Sequence, residues 1–195
     1  TAERLGVADA PSCAYVVKTF HTTHGGKLSL ARVFTGTFED GATVHSGDKD
    51  DRISGVFSLM GQEPAKRAKA VPGDTVAFGR LDDIRTGDTV SLEKGTGITI
   101  ETPPTPSPVY GLAIAVKERK DEVKMTAAVG KIMEEDPSVS LDHKQDLGEM
   151  VLWGQGEMQL RVAIERLKNK YGIEAESRQR QVPYKETIRK PVEVR

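Results

Sequence analysis

The order of apolar and polar positions changes near residue 103, and the two sides of that point predict different structures. Before it, short runs rich in β-branched and aromatic residues are separated by turns that contain Gly and Asp. Six runs read as strands: "CAYVVKTF", "LSLARVFTGTF", "ATVHSG", "RISGVFSLM", "DTVAFGRL" and "DTVSLEKG". Several short strands with this punctuation predict a small all-β domain, a β-barrel.

After residue 108 the apolar spacing lengthens, and helices alternate with strands. The segments "VYGLAIAVKER", "SVSLDH", "EMVLWGQ" and "IEAESRQRQ" predict strands. The residues Met125, Ala128, Val129, Ile132 and Met133 recur at helical spacing, and so do Leu160, Ala163, Ile164, Leu167 and Tyr171. Gly172 is a plausible end for the second helix. The order β-α-β-β-α-β predicts an α+β domain of the ferredoxin-like type.

A proline-rich stretch, "ETPPTPSPVY", separates the two patterns. Proline fixes φ and restricts the residue before it, so this stretch predicts a stiff, extended connector. We therefore predict a multidomain chain. A β-barrel spans residues 1–102, a connector 103–108, a ferredoxin-like domain 109–181 and the truncated start of a further domain 182–195.

Composition narrows the class of protein. The chain has 195 residues, of which 37% are hydrophobic and 29% charged, with a net charge of −1. This balance is typical of a soluble globular protein. No apolar run is long enough to cross a membrane, and the first residues do not resemble a signal peptide. Cys13 is the only cysteine, which fits a reducing cytoplasm and excludes an internal disulfide.

Charge is distributed unevenly. Residues 161–195 hold ten Lys/Arg and five Asp/Glu, so this end carries +5 and the rest carries −6. Such a basic end permits contact with nucleic acid, although a solvated basic face explains it equally well. The candidate RNA or ribosome contacts are Lys66, Arg67 and Lys69 on the barrel, with Arg161 and Lys168 on the second helix. Glu157 and Glu165 are spaced to form i,i+4 ion pairs on that helix.

Motifs for catalysis or cofactor binding are missing. The stretch "WGQGEMQLRVAIERL" begins like a phosphate loop, but Gln159 stands where a dinucleotide fingerprint needs its third glycine. No P-loop motif occurs in the sequence. Gly154 and Gly156 more simply predict a tight turn that a Cβ would hinder. His21 and His24 could form half of a metal site, but ordinary surface histidines are the more common case. We therefore expect no catalytic, cofactor-binding or metal-binding residues in this chain.

The motifs taken in order resemble one family. "AVPGDTVAFGRLDDIRTGDTV", "PSPV", "EEDPSVS", "GQGEMQL" and "VPYKETI" are similar to segments of elongation factor G, and the resemblance covers about residues 12–188. The wording "WGQGEM" is closer to the elongation factor G-like branch. The resemblance implies a translation-factor β-barrel, the second domain, followed by the ferredoxin-like third domain and the entry to the fourth.

The family resemblance also implies partners and a site. In such proteins the first domain binds GTP and Mg²⁺, the barrel docks on small-subunit ribosomal RNA, and the third domain contacts a small-subunit protein. The resemblance places Pro106, Pro108, Gly156, Met158 and Gln159 near an inter-domain groove that binds fusidic acid. The family usually has Leu-His at positions 158 and 159, and an acid where this chain has Lys144.

These expectations combine into one functional hypothesis. The chain would be the ribosome-binding and GTPase-signal-coupling part of an elongation factor G-like protein acting in elongation or translocation. It would be a cytoplasmic monomer without membrane contact. The chain would not hydrolyse GTP by itself, although the longer protein to which it belongs would do so. Two alternatives stay open: a ribosomal protection protein of the tetracycline-resistance type, and a stand-alone RNA-binding module. The chain could also be an unrelated enzyme, which the missing motifs disfavour.

Overall fold

The first half of the chain folds as strands around a main apolar core, with a smaller apolar cluster beside it. The computed structural model describes residues 1–22, 26–61, 63–182, 184 and 186–187. Its strands here are β1 (Cys13–Thr22), β2 (Gly26–Thr35), β3 (Phe38–Glu39), β4 (Thr43–Ser46), β5 (Lys49–Arg52), β6 (Val56–Met60), β7 (Glu63–Arg67), β8 (Lys69–Ala70), β9 (Thr75–Gly79) and β10 (Thr89–Val90).

Pairing among these strands is antiparallel throughout. Six of them form a sheet in the order β10-β1-β2-β9-β6-β7, while β3 pairs with β8 and β4 with β5. A single bridge between His45 and Ser91 joins β4 to the end of β10. The three sheets enclose one apolar core, as the barrel prediction requires, and its members are Ala14, Val16, Ala31, Val33, Phe38, Val44, Ile53, Val56, Ala70, Val76, Phe78, Leu81, Ile84 and Val90.

Two strands of this half lack an alternation of apolar and polar residues. β5 reads Lys-Asp-Asp-Arg and β7 reads Glu-Pro-Ala-Lys-Arg, so neither shows the alternation on which the sequence prediction depends. β7 lies at one edge of the six-stranded sheet, which is where a proline such as Pro64 is tolerated. The predicted strand "LSLARVFTGTF" is also two strands, β2 and β3, interrupted at Gly36 and Thr37.

The second half contains β11 (Tyr110–Val116), α1 (Glu122–Glu135), β12 (Ser140–Lys144), β13 (Glu149–Gly154), α2 (Glu157–Tyr171) and β14 (Ala175–Gln179). The strands form an antiparallel sheet in the order β12-β13-β11-β14. The element order and the strand order together are those of a ferredoxin-like fold, so the predicted fold class is confirmed.

The two helices bury the stripes that their sequences predict. In α1, Met125, Ala128, Val129 and Ile132 are buried. In α2, Leu160, Ala163 and Leu167 are buried, whereas Ile164 and Tyr171 are half-buried. Gly172 ends α2 in the left-handed region, with φ of 67°, and its N–H binds the Lys168 carbonyl oxygen. This confirms the predicted helix end, because residues other than glycine rarely adopt such a φ.

By compactness the chain divides into two units. The first unit contains residues 1–105 and 130–137, and the second contains 106–129 and 138–195. The C-terminal part of α1 thus belongs to the first unit, although the rest of the helix belongs to the second. The predicted domain boundaries stay predictions, and most of the predicted further domain, 182–195, lies outside the described residues. Among the described residues, no helix is both long and apolar enough to span a bilayer.

Candidate functional site

The turn between β13 and α2 is held by the side chain of Gln159. Its Oε1 accepts a hydrogen bond of 2.6 Å from the Gln155 backbone N–H, and its Nε2 donates to Ser138 Oγ at 2.7 Å. A neutral amide can accept and donate at the same time, and it keeps both roles at any pH near neutrality. A histidine here would lose its acceptor on protonation. Gln159 therefore fixes this turn independently of pH.

The two glycines of the turn differ in what they contribute. A Cβ on Gly154 would lie 2.6 Å from Gln159 Oε1 and 2.8 Å from Leu160 Cδ2, so any larger residue there would displace these two side chains of α2. Gly156 precedes α2 with an extended backbone, and a Cβ there would meet nothing within 4 Å. The steric prediction is confirmed for Gly154 and is wrong for Gly156.

Gln155 connects the turn to the proline-rich connector. Its Nε2 donates to the carbonyl oxygens of Pro106 at 3.0 Å and of Ser107 at 3.1 Å. The Val109 N–H binds the Gly154 carbonyl oxygen at 2.9 Å, which adds a backbone bond beside the side-chain ones. Because an extended proline segment forms no internal hydrogen bonds, its carbonyl groups are available to a donor such as Gln155. Connector and turn therefore form one hydrogen-bonded structure.

The structure brings only some of the residues predicted to line a groove into one hydrogen-bond network. Pro106 and Gln159 join the same network through Gln155, while Pro108 is exposed. Gly156 immediately precedes α2, and Met158 in its first turn has a side chain that is 69% exposed. The sequence analysis did not single out Gln155. Its side-chain amide has two N–H donors, and the proline-rich connector offers carbonyl oxygens that need donors, which is the only sequence signal for this contact.

The basic residues predicted on the barrel are largely neutralised by acids of the same unit. Lys66 Nζ lies 3.3 Å from Asp40, and Arg67 Nη2 lies 3.2 Å from Asp74. The Gly55 N–H, followed by Lys66, holds the pKa of Asp40 below its ordinary value, so this carboxyl is charged near neutral pH. Lys69 is exposed and forms no ion pair within the described part of the chain.

The basic residues predicted on α2 lie along a charged groove of the second unit. Arg161 pairs with Glu157 at 2.6 Å, which is one of the predicted i,i+4 pairs, and Lys168 pairs with Glu174 at 3.2 Å. The groove has a volume of about 440 Å³, and Lys117, Glu165 and Glu176 also line it. Its cations and acids are balanced, so contact with RNA stays a prediction for all five basic residues.

The acidic end of α1 forms a partly buried ionic cluster within the first unit. Glu134 Oε2 lies 2.9 Å from His21 Nε2 and 3.2 Å from Lys27 Nζ, and Lys27 is 5% exposed. The His21 backbone N–H binds Glu135 Oε1 at 2.8 Å. Burial opposes ionisation of Glu134, but the hydrogen bonds from His21 and Lys27 outweigh it and lower its pKa. Acids at a helix C-terminus are disfavoured by the helix dipole, which these partners offset.

This cluster changes the interpretation of His21. His21 binds a helix carboxylate instead of standing free on the surface, and its proposed metal partner His24 lies outside the described residues. Within the described ranges, no three His, Cys, Asp or Glu side chains are close enough to hold a metal ion. The sequence signal was present but overlooked: a helix whose last turn contains two glutamates and no basic residue.

Comparison with protein families decides which family the chain belongs to. Residues 11–93 match the model described as elongation factor G domain 2, and residues 105–179 match the model described as Elongation Factor G, domain III. The two matches follow each other in the order of the two folds and together cover most of the chain.

The chain belongs to the elongation factor G family.

Relatives and solved structures agree with this assignment. An elongation factor G-like protein from Synechocystis sp. is 43% identical over 94% of this chain, and one from Mycobacterium tuberculosis is 34% identical over 92%. A crystal structure of a protein from Thermus thermophilus superimposes with a TM-score of 0.79 at 30% identity over 93% of this chain. The chain spans 26%, 28% and 27% of those three proteins, so it corresponds to about a quarter of their length.

Proposed function

We propose that this chain is the ribosome-binding and signal-coupling part of an elongation factor G-like translational GTPase acting in elongation or translocation. GTP and Mg²⁺ would bind to a domain outside this sequence, because the 195 residues contain no P-loop motif. The two family domains support the translational context. The whole protein would act on the cytoplasmic ribosome, with the barrel facing small-subunit ribosomal RNA.

One observation carries the coupling role: the Gln155 amide binds the carbonyl oxygens of Pro106 and Ser107. A displacement of the connector would therefore move the start of α2, since the two are joined by side-chain and backbone hydrogen bonds. Coupling between two sites needs an element whose arrangement both sites can bias. The connector and turn supply such an element inside the second unit.

Co-sedimentation tests the ribosomal role. The full-length protein is centrifuged with ribosomes in the presence of a non-hydrolysable GTP analogue, with GDP as the comparison, across a range of salt concentrations. We expect the analogue to increase the pelleted fraction and added salt to decrease it, because phosphate contacts release counterions. A protein that stays in the supernatant at low salt with the analogue contradicts the proposal.

Two lysine variants of the barrel test where the protein contacts ribosomal RNA. Lys69→Ala removes a cation that has no ion-pair partner among the described residues, whereas Lys94→Ala removes a barrel lysine already paired with Asp50 at 2.7 Å. If the barrel binds RNA as proposed, Lys69→Ala should weaken sedimentation and reduce its salt dependence, while Lys94→Ala should change neither. Equal loss in both variants would instead assign the effect to net charge.

Other measurements distinguish the two alternative functions. A ribosomal protection protein would release bound tetracycline from ribosomes in a nucleotide-dependent manner. A stand-alone RNA-binding module would bind RNA without any response to nucleotide, and the gene would contain no P-loop domain upstream. Sequencing the region upstream is therefore a direct check, since the absence of that domain would overturn the proposed coupling role.

A further inference from the structure

Two side chains of β13 are buried on one face of the second unit's sheet, although the opposite face of that strand packs on α2. Side chains alternate along a strand, so Glu149, Val151 and Trp153 of β13 share a face. The opposite face holds Gly154, whose Cβ position lies against Leu160 of α2. Even so, Val151 is 2% exposed and Glu149 is 3% exposed. The segment at the end of β14 supplies the groups that bind to this face.

Glu149 is a buried carboxylate with both oxygens used. Arg178 Nη2 donates to Oε1 at 2.7 Å, and the Gln181 backbone N–H donates to Oε2 at 3.3 Å. The side chain of Glu149 is 1% exposed while that of Arg178 is 62% exposed, so the arginine reaches it from the solvent side. A buried carboxylate is tolerated only when it is paired and hydrogen-bonded, which makes the position of residues 178–181 important to the sheet.

Trp153 supplies a second attachment for the same segment. Its ring lies so close to β11 that a Cβ on Gly111 would come within 2.9 Å of it, which means the ring rests on backbone. The Arg180 guanidinium lies 5.3 Å from the centroid of the ring. A guanidinium at this distance from an indole forms a cation–π contact. Arg178 and the Gln181 N–H therefore bind Glu149, and Arg180 binds Trp153, which gives three contacts with two side chains of β13.

We propose that Glu149 and Trp153 form an exit clamp, which binds residues 178–181 and fixes the direction in which the chain leaves β14. Without the clamp, the residues after β14 would be a linker free to choose its direction. With it, Arg180 and Gln181 stay against the sheet beyond Gln179, the last paired residue of β14. In a longer protein, such as the relatives, any tilt of this sheet would be passed to the sequence that follows. The clamp does not depend on the proposed ribosomal function.

The test uses the fact that Trp153 is the only tryptophan of the chain. Gln181→Pro removes the N–H that binds Glu149 but leaves every clamp side chain in place, and Gln181→Ala keeps the N–H and serves as the matched control. A nitroxide attached to a cysteine at position 182, the residue directly after the clamp, reports mobility, since Cys13 is buried. Iodide quenching of Trp153 reports on whether Arg180 covers the ring.

We expect an immobilised label and weak quenching in the unchanged protein and in Gln181→Ala. Gln181→Pro should free the label, and Arg180→Gln should raise the open fraction of the ring by about two- to fivefold, the factor that an exposed cation–π contact represents. Arg4→Gln, a change on an exposed residue of the first unit, should alter neither signal. A label that is already mobile in the unchanged protein, or quenching that Arg180→Gln leaves unaltered, would overturn the clamp.

Circular dichroism separates loss of the clamp from loss of the fold. If a variant loses its β-sheet signal, Glu149→Gln takes its place, because the amide retains one acceptor while losing the charge. That variant should also free the label. A folded Glu149→Gln protein with an immobilised label would contradict the proposal.

Discussion

The two units use their polar side chains differently. In the first unit, charged groups on the barrel surface pair with nearby acids, as Lys66 does with Asp40, and an extensive apolar core lies beneath them. In the second unit, polar side chains join segments: Gln155 binds the connector and Glu149 binds the segment after β14. The comparison predicts that surface charge in the barrel is replaceable, whereas single polar groups in the second unit fix the position of the segments that they bind.

The largest expected effect comes from the barrel core. Phe78 is fully buried and its ring centroid lies 5.5 Å from that of Phe38. Phe78→Ala should lower the free energy of unfolding by about 3–5 kcal/mol, because it leaves a cavity beside Phe38. Denaturant unfolding followed by circular dichroism measures the loss. Met60→Ala, at a side chain that is 83% exposed, should stay within about 0.5 kcal/mol of the unchanged protein.

The next largest effect concerns the turn of the second unit. Gly154→Ala places a methyl group against Gln159 and Leu160, so we expect a loss of about 1–3 kcal/mol in the free energy of unfolding. Gly156→Ser, two residues on, adds a helix-capping hydroxyl in open space and should be neutral or stabilising. Equal effects in the two variants would contradict the different roles assigned to these glycines.

The ionic cluster at the end of α1 is an exception within the first unit, because its polar side chains are more buried than those of the surface ion pairs. The pKa of Glu134 is lowered in the folded state, so the unfolded chain binds more protons between the two pKa values. Its stabilisation is therefore complete above the ordinary glutamate pKa and is lost as pH falls through the lowered one. Glu134→Gln should flatten the decline in stability below about pH 5.

Urea unfolding at a series of pH values measures this dependence. Glu93→Gln, at an exposed carboxylate of the same unit, should leave the difference between mild and low pH unchanged. A Glu134→Gln profile parallel to that of the unchanged protein would show that the cluster contributes no pH-dependent stability.

The smallest effects are expected at the surface ion pairs of both units. Lys66→Ala removes the pair with Asp40, and Arg161→Ala removes the pair with Glu157 on α2. Exposed pairs contribute about 0–1 kcal/mol and helical i,i+4 pairs about 0.3–0.5 kcal/mol, so thermal unfolding should shift little. A large loss at Lys66 would show that barrel surface charge is not replaceable after all.

Periodicity predicts the apolar elements of this fold and fails at its polar ones. The stripes of α1 and α2 specify their buried faces, and Gly172 marks a helix end by its backbone preference. β5 and β7 could not be predicted, because strands made of charged residues carry no alternation and depend on partners distant in sequence. Family motifs, by contrast, identified both domains over most of the chain.

The site was predicted less completely than the fold. Gln159 stands out in the sequence, but its bonds to Gln155 and Ser138 depend on a turn geometry that no spacing rule gives. Gln155 and Glu149 form their decisive hydrogen bonds with residues about 30 to 50 positions away in the sequence. The pair between Arg161 and Glu157 follows from helix spacing, whereas Asp40 and Asp74, which pair with the basic residues of the barrel, come from other loops.

Hydrogen exchange tests the coupling claim most directly. The Val109 and Gln155 N–H groups are both bonded within the structure formed by connector and turn. Their exchange would be measured in the full-length protein on ribosomes, with a non-hydrolysable GTP analogue and with GDP. We predict that replacing GDP by the analogue changes the protection of both N–H groups in the same direction. Gln155→Ala should abolish this joint change, whereas Gln145→Ala on the β12–β13 turn should preserve it. Protection that is identical in both nucleotide states, or that changes at only one of the two sites, would contradict the coupling role.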